Sequence, residues 1–218
     1  MPEASNQINK IAAALLDLLQ KRYPHPKTNL KAETPWQLLV ATILSAQCTD
    51  AKVNEITPNL FAKYPSPFDL AQAKIADIEG LIRQTGFYRN KAKNICAASK
   101  MIVERFEGSV PKTMDELILL PGVARKTANC VLYGAYGLNY GLAVDTHVKR
   151  ITYRLGLTKS IKPTEIEQDL MRIFPQKEWG GLNHRLVWFG REVCRAPKPL
   201  CADCKLDPLC PKLDPKAH

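Results

Sequence analysis

Leu120-Pro121-Gly122-Val123-Ala124-Arg125-Lys126-Thr127-Ala128 places two helix boundaries within nine residues. The Leu-Pro step turns Leu120 away from helical backbone and closes one helix. Gly122 supplies the positive φ of a sharp turn without a Cβ penalty. A second helix can then start at once, with its first amides pointing outward beside Arg125. That arrangement suits a phosphate oxygen and is blind to base sequence. An ordinary helix-turn-helix corner has the same local form, so the turn alone leaves both readings open.

On either side of this turn, apolar residues recur at helical intervals through almost the whole chain. The pattern predicts an all-α protein with helices over 6–22, 35–46, 50–63, 67–72, 75–84, 88–106, 114–119, 124–136, 145–155, 164–173 and 181–193. Thr34-Pro35-Trp36-Gln37 and Thr113-Met114-Asp115-Glu116 have the capping-box form, and Ser66-Pro67-Phe68-Asp69 is a looser version. A strand competes with helix over Gly141 to Tyr153, where Val, Ile and Thr gather. Internal repeats, low-complexity segments and long linkers are absent from the sequence, so a domain boundary is expected in a tight turn.

Further along, Cys194, Cys201, Cys204 and Cys210 are separated by six, two and five residues in one Pro- and Lys-containing loop. Four thiolates on one loop can wrap a soft-metal centre. Zinc sites more often use two separate C-x2-4-C pairs, whereas here Cys201 and Cys204 form a single pair with longer flanking intervals. The spacing favours a 4Fe-4S cluster and leaves zinc as the alternative. Cys48, Cys96 and Cys130 lie in helix-like apolar settings and are expected as small core residues.

The chain has 218 residues, 45% of them hydrophobic, enough for one sizeable core or two modest ones. Its 31 Lys and Arg against 21 Asp and Glu give a formal charge of +10, spread along the sequence. Basic residues gather at Lys91/Lys93, Arg125/Lys126, Lys149/Arg150/Arg154 and, in the cysteine loop, Arg195, Lys198 and Lys205. Any one such group is ordinarily a solvated helix face, but together they favour a nucleic-acid partner. The first 22 residues lack the pattern of a secretory leader, and no apolar run reaches membrane-spanning length. With an odd number of cysteines, seven, the expectation is a reduced cytoplasmic location, nucleoid-associated if DNA is the partner.

Leu120 to Ala128 resembles the helix-hairpin-helix motif, and Val144-Asp145-Thr146-His147-Val148 follows at the interval expected for its companion segment. Leu44-Ser45-Ala46-Gln47-Cys48-Thr49-Asp50, Gly86-Phe87-Tyr88-Arg89-Asn90-Lys91-Ala92 and the closing cysteine loop extend the likeness over nearly the whole chain. Together they resemble the endonuclease III family of DNA glycosylases, in the helix-hairpin-helix and Gly-Pro-Asp superfamily. The resemblance implies a base excision DNA repair enzyme, hydrolase and lyase in one. It would remove oxidised pyrimidines and cleave 3′ to the abasic site by β-elimination. It implies a 4Fe-4S cofactor on the four cysteines and double-stranded DNA carrying damaged bases or abasic sites as the partner, bound by a monomer.

By position, Lys126 corresponds to the family's nucleophile and Asp145 to its catalytic aspartate. An amine attacking the anomeric carbon gives a Schiff base, and its protonated imine makes β-elimination accessible. A free lysine is neutral in only about 0.04% of molecules at pH 7, so the site must favour the neutral amine. Asp145 is expected to stabilise sugar charge or activate the leaving base, and equally to cap the helix behind it. A flipped base leaves a gap in the duplex. Gln47 matches the glutamine that fills it, and Phe87 falls where relatives carry a wedge, with core packing as its alternative. Gly122, Ala124, Arg125, Lys91 and Lys198 complete the expected DNA-binding set. Ala124 stands where the family usually has glycine, and restoring Gly is expected to change DNA affinity less than about tenfold. Tyr88 and His147 are weaker candidates, and His147 is expected to be a hydrogen-bonded histidine.

The resemblance implies two helical domains with DNA in the cleft between them. One spans 29–139 and carries the helix-hairpin-helix, and the other joins 1–28 to 140–218 around the cluster loop. Adenine-specific relatives are a poor fit, because their catalytic glutamate has no counterpart around Ala41 to Gln47 and they lack the lysine. A pyrimidine-dimer glycosylase on the same scaffold and a non-catalytic iron-sulfur DNA-binding protein are the remaining alternatives.

Overall fold

The computed structural model describes residues 2–213. Among them are eleven α-helices and no strand. In chain order these are α1 (Pro2–Arg22), α2 (Pro35–Leu44), α3 (Asp50–Lys63), α4 (Pro67–Ala71), α5 (Ile75–Ile82) and α6 (Tyr88–Phe106). There follow α7 (Met114–Leu117), α8 (Arg125–Tyr136), α9 (Thr146–Arg154), α10 (Pro163–Ile173) and α11 (Trp179–Glu192). None is long and apolar enough to cross a membrane.

Start signals read from the sequence act through side chains. Thr34 Oγ1 accepts from Gln37 N at 3.1 Å, while Gln37 Oε1 reaches past the cap to accept from Glu33 N at 2.8 Å. Thr113 Oγ1 accepts from Glu116 N at 3.3 Å. The complete reciprocal box belongs to Ser66, whose side chain takes the Asp69 amide while Asp69 takes the Ser66 amide at 3.0 Å. The segment from Gly141 to Tyr153, open to a strand reading, has no regular structure before Asp145, is extended at Asp145 and is helical from Thr146 to Tyr153.

The chain divides into two compact units. The unit from Thr28 to Leu138 holds α2 to α8 around a core that includes Trp36, Leu39, Leu60, Ile95, Ile102 and Leu132. Here Gly134 of α8 lies so close to α2 that an added Cβ would stand 2.8 Å from Leu38 Cδ2, which is why the two helices can approach. The other unit joins the chain up to Lys27 with the chain from Asn139, and buries Leu15, Leu19, Ile151, Leu170, Leu182 and Leu186. In it, Tyr23 and Arg22 at the end of α1 both donate to Glu192 Oε2 at the end of α11, at 2.7 and 3.0 Å. This ties residues 169 positions apart in sequence.

Candidate active site and nucleic-acid interface

The hairpin is built by burial on one side and backbone freedom on the other. Leu120 and Val123 are buried, and Val123 N donates to Leu120 O at 3.0 Å, closing the turn. Gly122 between them has φ +80°, and an added Cβ would lie 2.8 Å from Asn94 Cβ on α6. Ala124, the N-cap of α8, is extended at φ −90° and ψ 167° and brings no side-chain acceptor to the first amides. The helix start can therefore receive an acceptor from outside the protein, and a phosphate oxygen meets that need. Arg125 and Lys126, the first two residues of α8, are exposed.

Asp145 lies in the other unit, at the N-cap of α9, where Oδ1 accepts from Val148 N at 2.8 Å. The backbone leading to it is held from behind. Ala143 and Val144 are buried, and the buried Asn183 of α11 donates from Nδ2 to Ala143 O at 2.7 Å. Sequence reasoning missed Asn183, because an amide in a helix carries no local signal for a distant backbone partner. His147 sits 3.1 Å from Arg150 Nη2 through Nδ1. A guanidinium can only donate, so Nδ1 accepts and the proton of the neutral ring rests on Nε2. Burial first, then Arg150 and Arg191, hold its pKa below the usual histidine value against the pull of Asp145.

Gln47 and Phe87 share an unusual backbone. Both are non-glycine residues in the left-handed region, at φ 53° and 47°. Both are exposed, and Phe87 at 66% is not a core residue. A left-handed L-residue costs about 1–2 kcal/mol, and such strain clusters where a turn must present a side chain.

Lys91, included in the expected DNA-binding set, is corrected by its surroundings. It is 5% exposed, and its Nζ donates to Leu44 O and Thr85 O, each at 2.8 Å. Burial pushes its pKa down, partly offset by nearby Cys48. An ammonium spent on two internal carbonyls is not offered to phosphate. By contrast Lys198, in the cysteine loop, is exposed.

None of the seven cysteines is in a disulfide. Cys194, Cys201, Cys204 and Cys210 line one cavity of about 660 Å³, walled on the apolar side by Phe189, Val193 and Leu206. Among the described residues no group of three His, Cys, Asp or Glu side chains is disposed to hold a single metal ion. Burial pushes the Cys204 and Cys210 thiols up, and backbone N–H groups at Leu206 and Lys212 oppose it. Helix α9 grips this loop. Arg150 donates to Cys194 O at 2.9 Å, and Arg154 to Arg195 O at 2.8 Å, Ala196 O at 2.9 Å and Cys194 Sγ at 3.4 Å. Four thiols with cations and N–H donors around one roomy cavity are a donor set suited to a thiolate-held iron-sulfur group.

Residues 40–176, which include the hairpin, Lys126 and Asp145, match the family described as HhH-GPD superfamily base excision DNA repair protein. Over 200 residues the chain is 54% identical to endonuclease III of Synechocystis sp., covering 92% of this chain and 91% of the relative. This chain belongs to the endonuclease III family. Endonuclease III of Bacillus subtilis is 46% identical over 196 residues, 89% of either chain. Among solved structures, a trapped endonuclease III–DNA covalent intermediate, an estranged-adenine complex, superposes with a TM-score of 0.88 at 42% identity. The match covers 94% of this chain and 96% of that one. Membership places the chain among base excision repair DNA glycosylases with AP lyase activity.

Proposed function

We propose that this protein is a monomeric, bifunctional glycosylase and AP lyase that removes oxidised pyrimidines from duplex DNA at the nucleoid, with Lys126 as its nucleophile. The observation that carries the reading is Lys126 itself, exposed on the first turn of a helix whose N-cap has no acceptor side chain. The helix start and Arg125 bind phosphate and draw the sugar toward the amine.

Lys126 Nζ attacks the anomeric carbon as the base departs with its bonding electrons. The carboxylate of Asp145 stabilises charge developing on the sugar or assists the leaving base. Nitrogen then loses a proton, the sugar opens, and a protonated Schiff base joins Lys126 to the ring-opened sugar. Loss of a proton from the adjacent carbon expels the 3′ phosphate. Gln47 and Phe87, raised on strained turns, fill the gap left by the extruded base. A covalent intermediate is a property of the endonuclease III relative named above, and it supports an amine nucleophile here.

Cys194, Cys201, Cys204 and Cys210 hold a 4Fe-4S cluster in this proposal. When bound, the cluster supplies a structural cross-link that orders the loop carrying Arg195 and Lys198. The size of the cavity between the thiols, and the absence among the described residues of a group disposed around a single ion, support a cluster over one zinc held at about 2.3 Å from each sulfur. Iron and acid-labile sulfide should be found at about four each per chain. Zinc in their place would remove the cluster from the proposal.

Borohydride trapping tests the central claim. A duplex with a single thymine glycol should give a covalent protein–DNA band with the wild type and none with Lys126→Ala, while the variant still binds. A band that survives the substitution would assign the nucleophile elsewhere. No band on thymine glycol, with one on a cyclobutane-dimer duplex, would change the lesion class.

A further inference from the structure

Lys91 joins two segments that the sequence keeps well apart. Leu44 O, at the end of α2, lies three residues before Gln47, and Thr85 O lies two residues before Phe87. Both carbonyls accept from the same Nζ at 2.8 Å, so they are held within twice that distance of one another. Leu44 and Thr85 are themselves buried at 0% and 1% exposure, so water does not replace the ammonium easily. Beyond each carbonyl the chain leaves regular helix and enters a left-handed residue, Gln47 at φ 53° and Gly86-Phe87 at φ 69° and 47°. The outer ends have less support. Phe87, at the N-cap of α6, makes no side-chain cap bond, and an added Cβ at Gly86 would meet nothing within 4 Å. An exposed bond from Lys52 Nζ to Gln84 Oε1 at 3.2 Å is a weaker second tie between the start of α3 and the same turn.

We propose that Lys91 is a positioning residue whose ammonium clamps the Gln47 turn to the Phe87 turn, so that the two side chains enter the duplex as one wedge. The inference rests on the proposed role of Gln47 and Phe87 in filling the gap. A charged donor shared by two carbonyls suits the task because each bond is strong and the nitrogen fixes both at once. The alternative is a lysine that serves folding alone.

The test compares Lys91→Met, similar in length but unable to donate, with Gln47→Ala and Phe87→Ala, using full-length protein on two substrates. On a thymine-glycol duplex, single-turnover base release by Lys91→Met should fall about tenfold or more, with initial duplex binding little changed. On a preformed abasic site in single-stranded DNA, where no gap exists, strand cleavage should stay within about threefold of wild type. Added to the Gln47→Ala/Phe87→Ala background, Lys91→Met should cost less than about threefold more, because coupled residues do not add. Fluorescence of 2-aminopurine opposite the lesion, a reporter of unstacking, should drop with Lys91→Met.

Full additivity, or equal loss on both substrates, would overturn the clamp and leave a folding role. If Gln47→Ala and Phe87→Ala both excise at the wild-type rate, the gap-filling reading fails and the clamp falls with it. If they are impaired while Lys91→Met is not, the clamp alone fails. Should Lys91→Met not fold, Lys91→Gln, with a neutral and shorter donor, decides by the same comparison.

Discussion

Asp145 carries two duties on one carboxylate, and a pair of substitutions separates them. Oδ1 is committed to the Val148 amide as the N-cap of α9. Asparagine caps helices about as well as aspartate, whereas alanine in its place costs about 1 kcal/mol. Asp145→Asn should therefore melt within a degree or two of the wild type while releasing base at least about tenfold more slowly. Asp145→Ala should lose both the rate and about 1 kcal/mol in denaturant unfolding. An Asn variant with full glycosylase rate would confine Asp145 to capping. At the same scale, the left-handed Phe87 shows why sequence reasoning left its role balanced against core packing. An aromatic beside a helix start is locally indistinguishable from a core residue, whereas in the fold it is left-handed and 66% exposed.

At the scale of the element, the hairpin between α7 and α8 depends on Gly122. Its φ of +80° is left-handed, and a methyl group there would meet Asn94 Cβ at 2.8 Å. Gly122→Ala should destabilise the protein by about 1–2 kcal/mol from backbone conformation alone, with displacement of Asn94 adding to it. Because the same turn aims the first amides of α8, DNA affinity should fall as well. Chemical denaturation and a salt-titrated binding assay read the two effects. A variant equal to wild type in both would show that the turn tolerates a side chain. Ala124 poses no such demand, since φ −90° and ψ 167° are open to any residue, so the departure from the usual glycine has no backbone cause here. The hairpin and the helix starts were legible in the sequence because caps and turns are decided by residues within four positions of each other. The Ser66 box, which looked looser than the two threonine examples, is the complete one because Asp69 reaches back to the cap amide itself.

At the scale of the whole molecule, the N-terminal helix is secured to the end of α11 by Tyr23, Arg22 and Glu192. Burial, and then the hydrogen bond to Glu192, raise the Tyr23 pKa to about 12. The unfolded phenol titrates near 10, so the folded state holds its proton more tightly and gains stability that is fully present below that value. As pH rises from about 10 toward about 12 this contribution is lost, because the unfolded state releases its proton first. Unfolding free energy should fall through that window in the wild type and less steeply in Tyr23→Phe, which has no phenol to titrate. Parallel slopes for the two proteins would exclude Tyr23 as the source. The distribution of charge belongs to this scale too. Of the +10 formal charge, the cations of Lys91, Arg150 and Arg154 are spent partly or wholly on internal carbonyls, while Lys126 and Lys198 are exposed.

By itself, the sequence determined the all-helical class, the helix starts, the sharp turn at Gly122 and the grouping of four cysteines on one loop. Each depends on neighbours a few residues away, through capping, φ preference, periodicity or spacing. Only the tertiary structure decided which basic residues remain available to a partner. Lys91 finds Leu44 O 47 positions away, and Arg150 finds Cys194 O 44 positions away. Long cationic side chains satisfy buried carbonyls and phosphates with the same donors, so only the packing around each one decides which acceptor it meets.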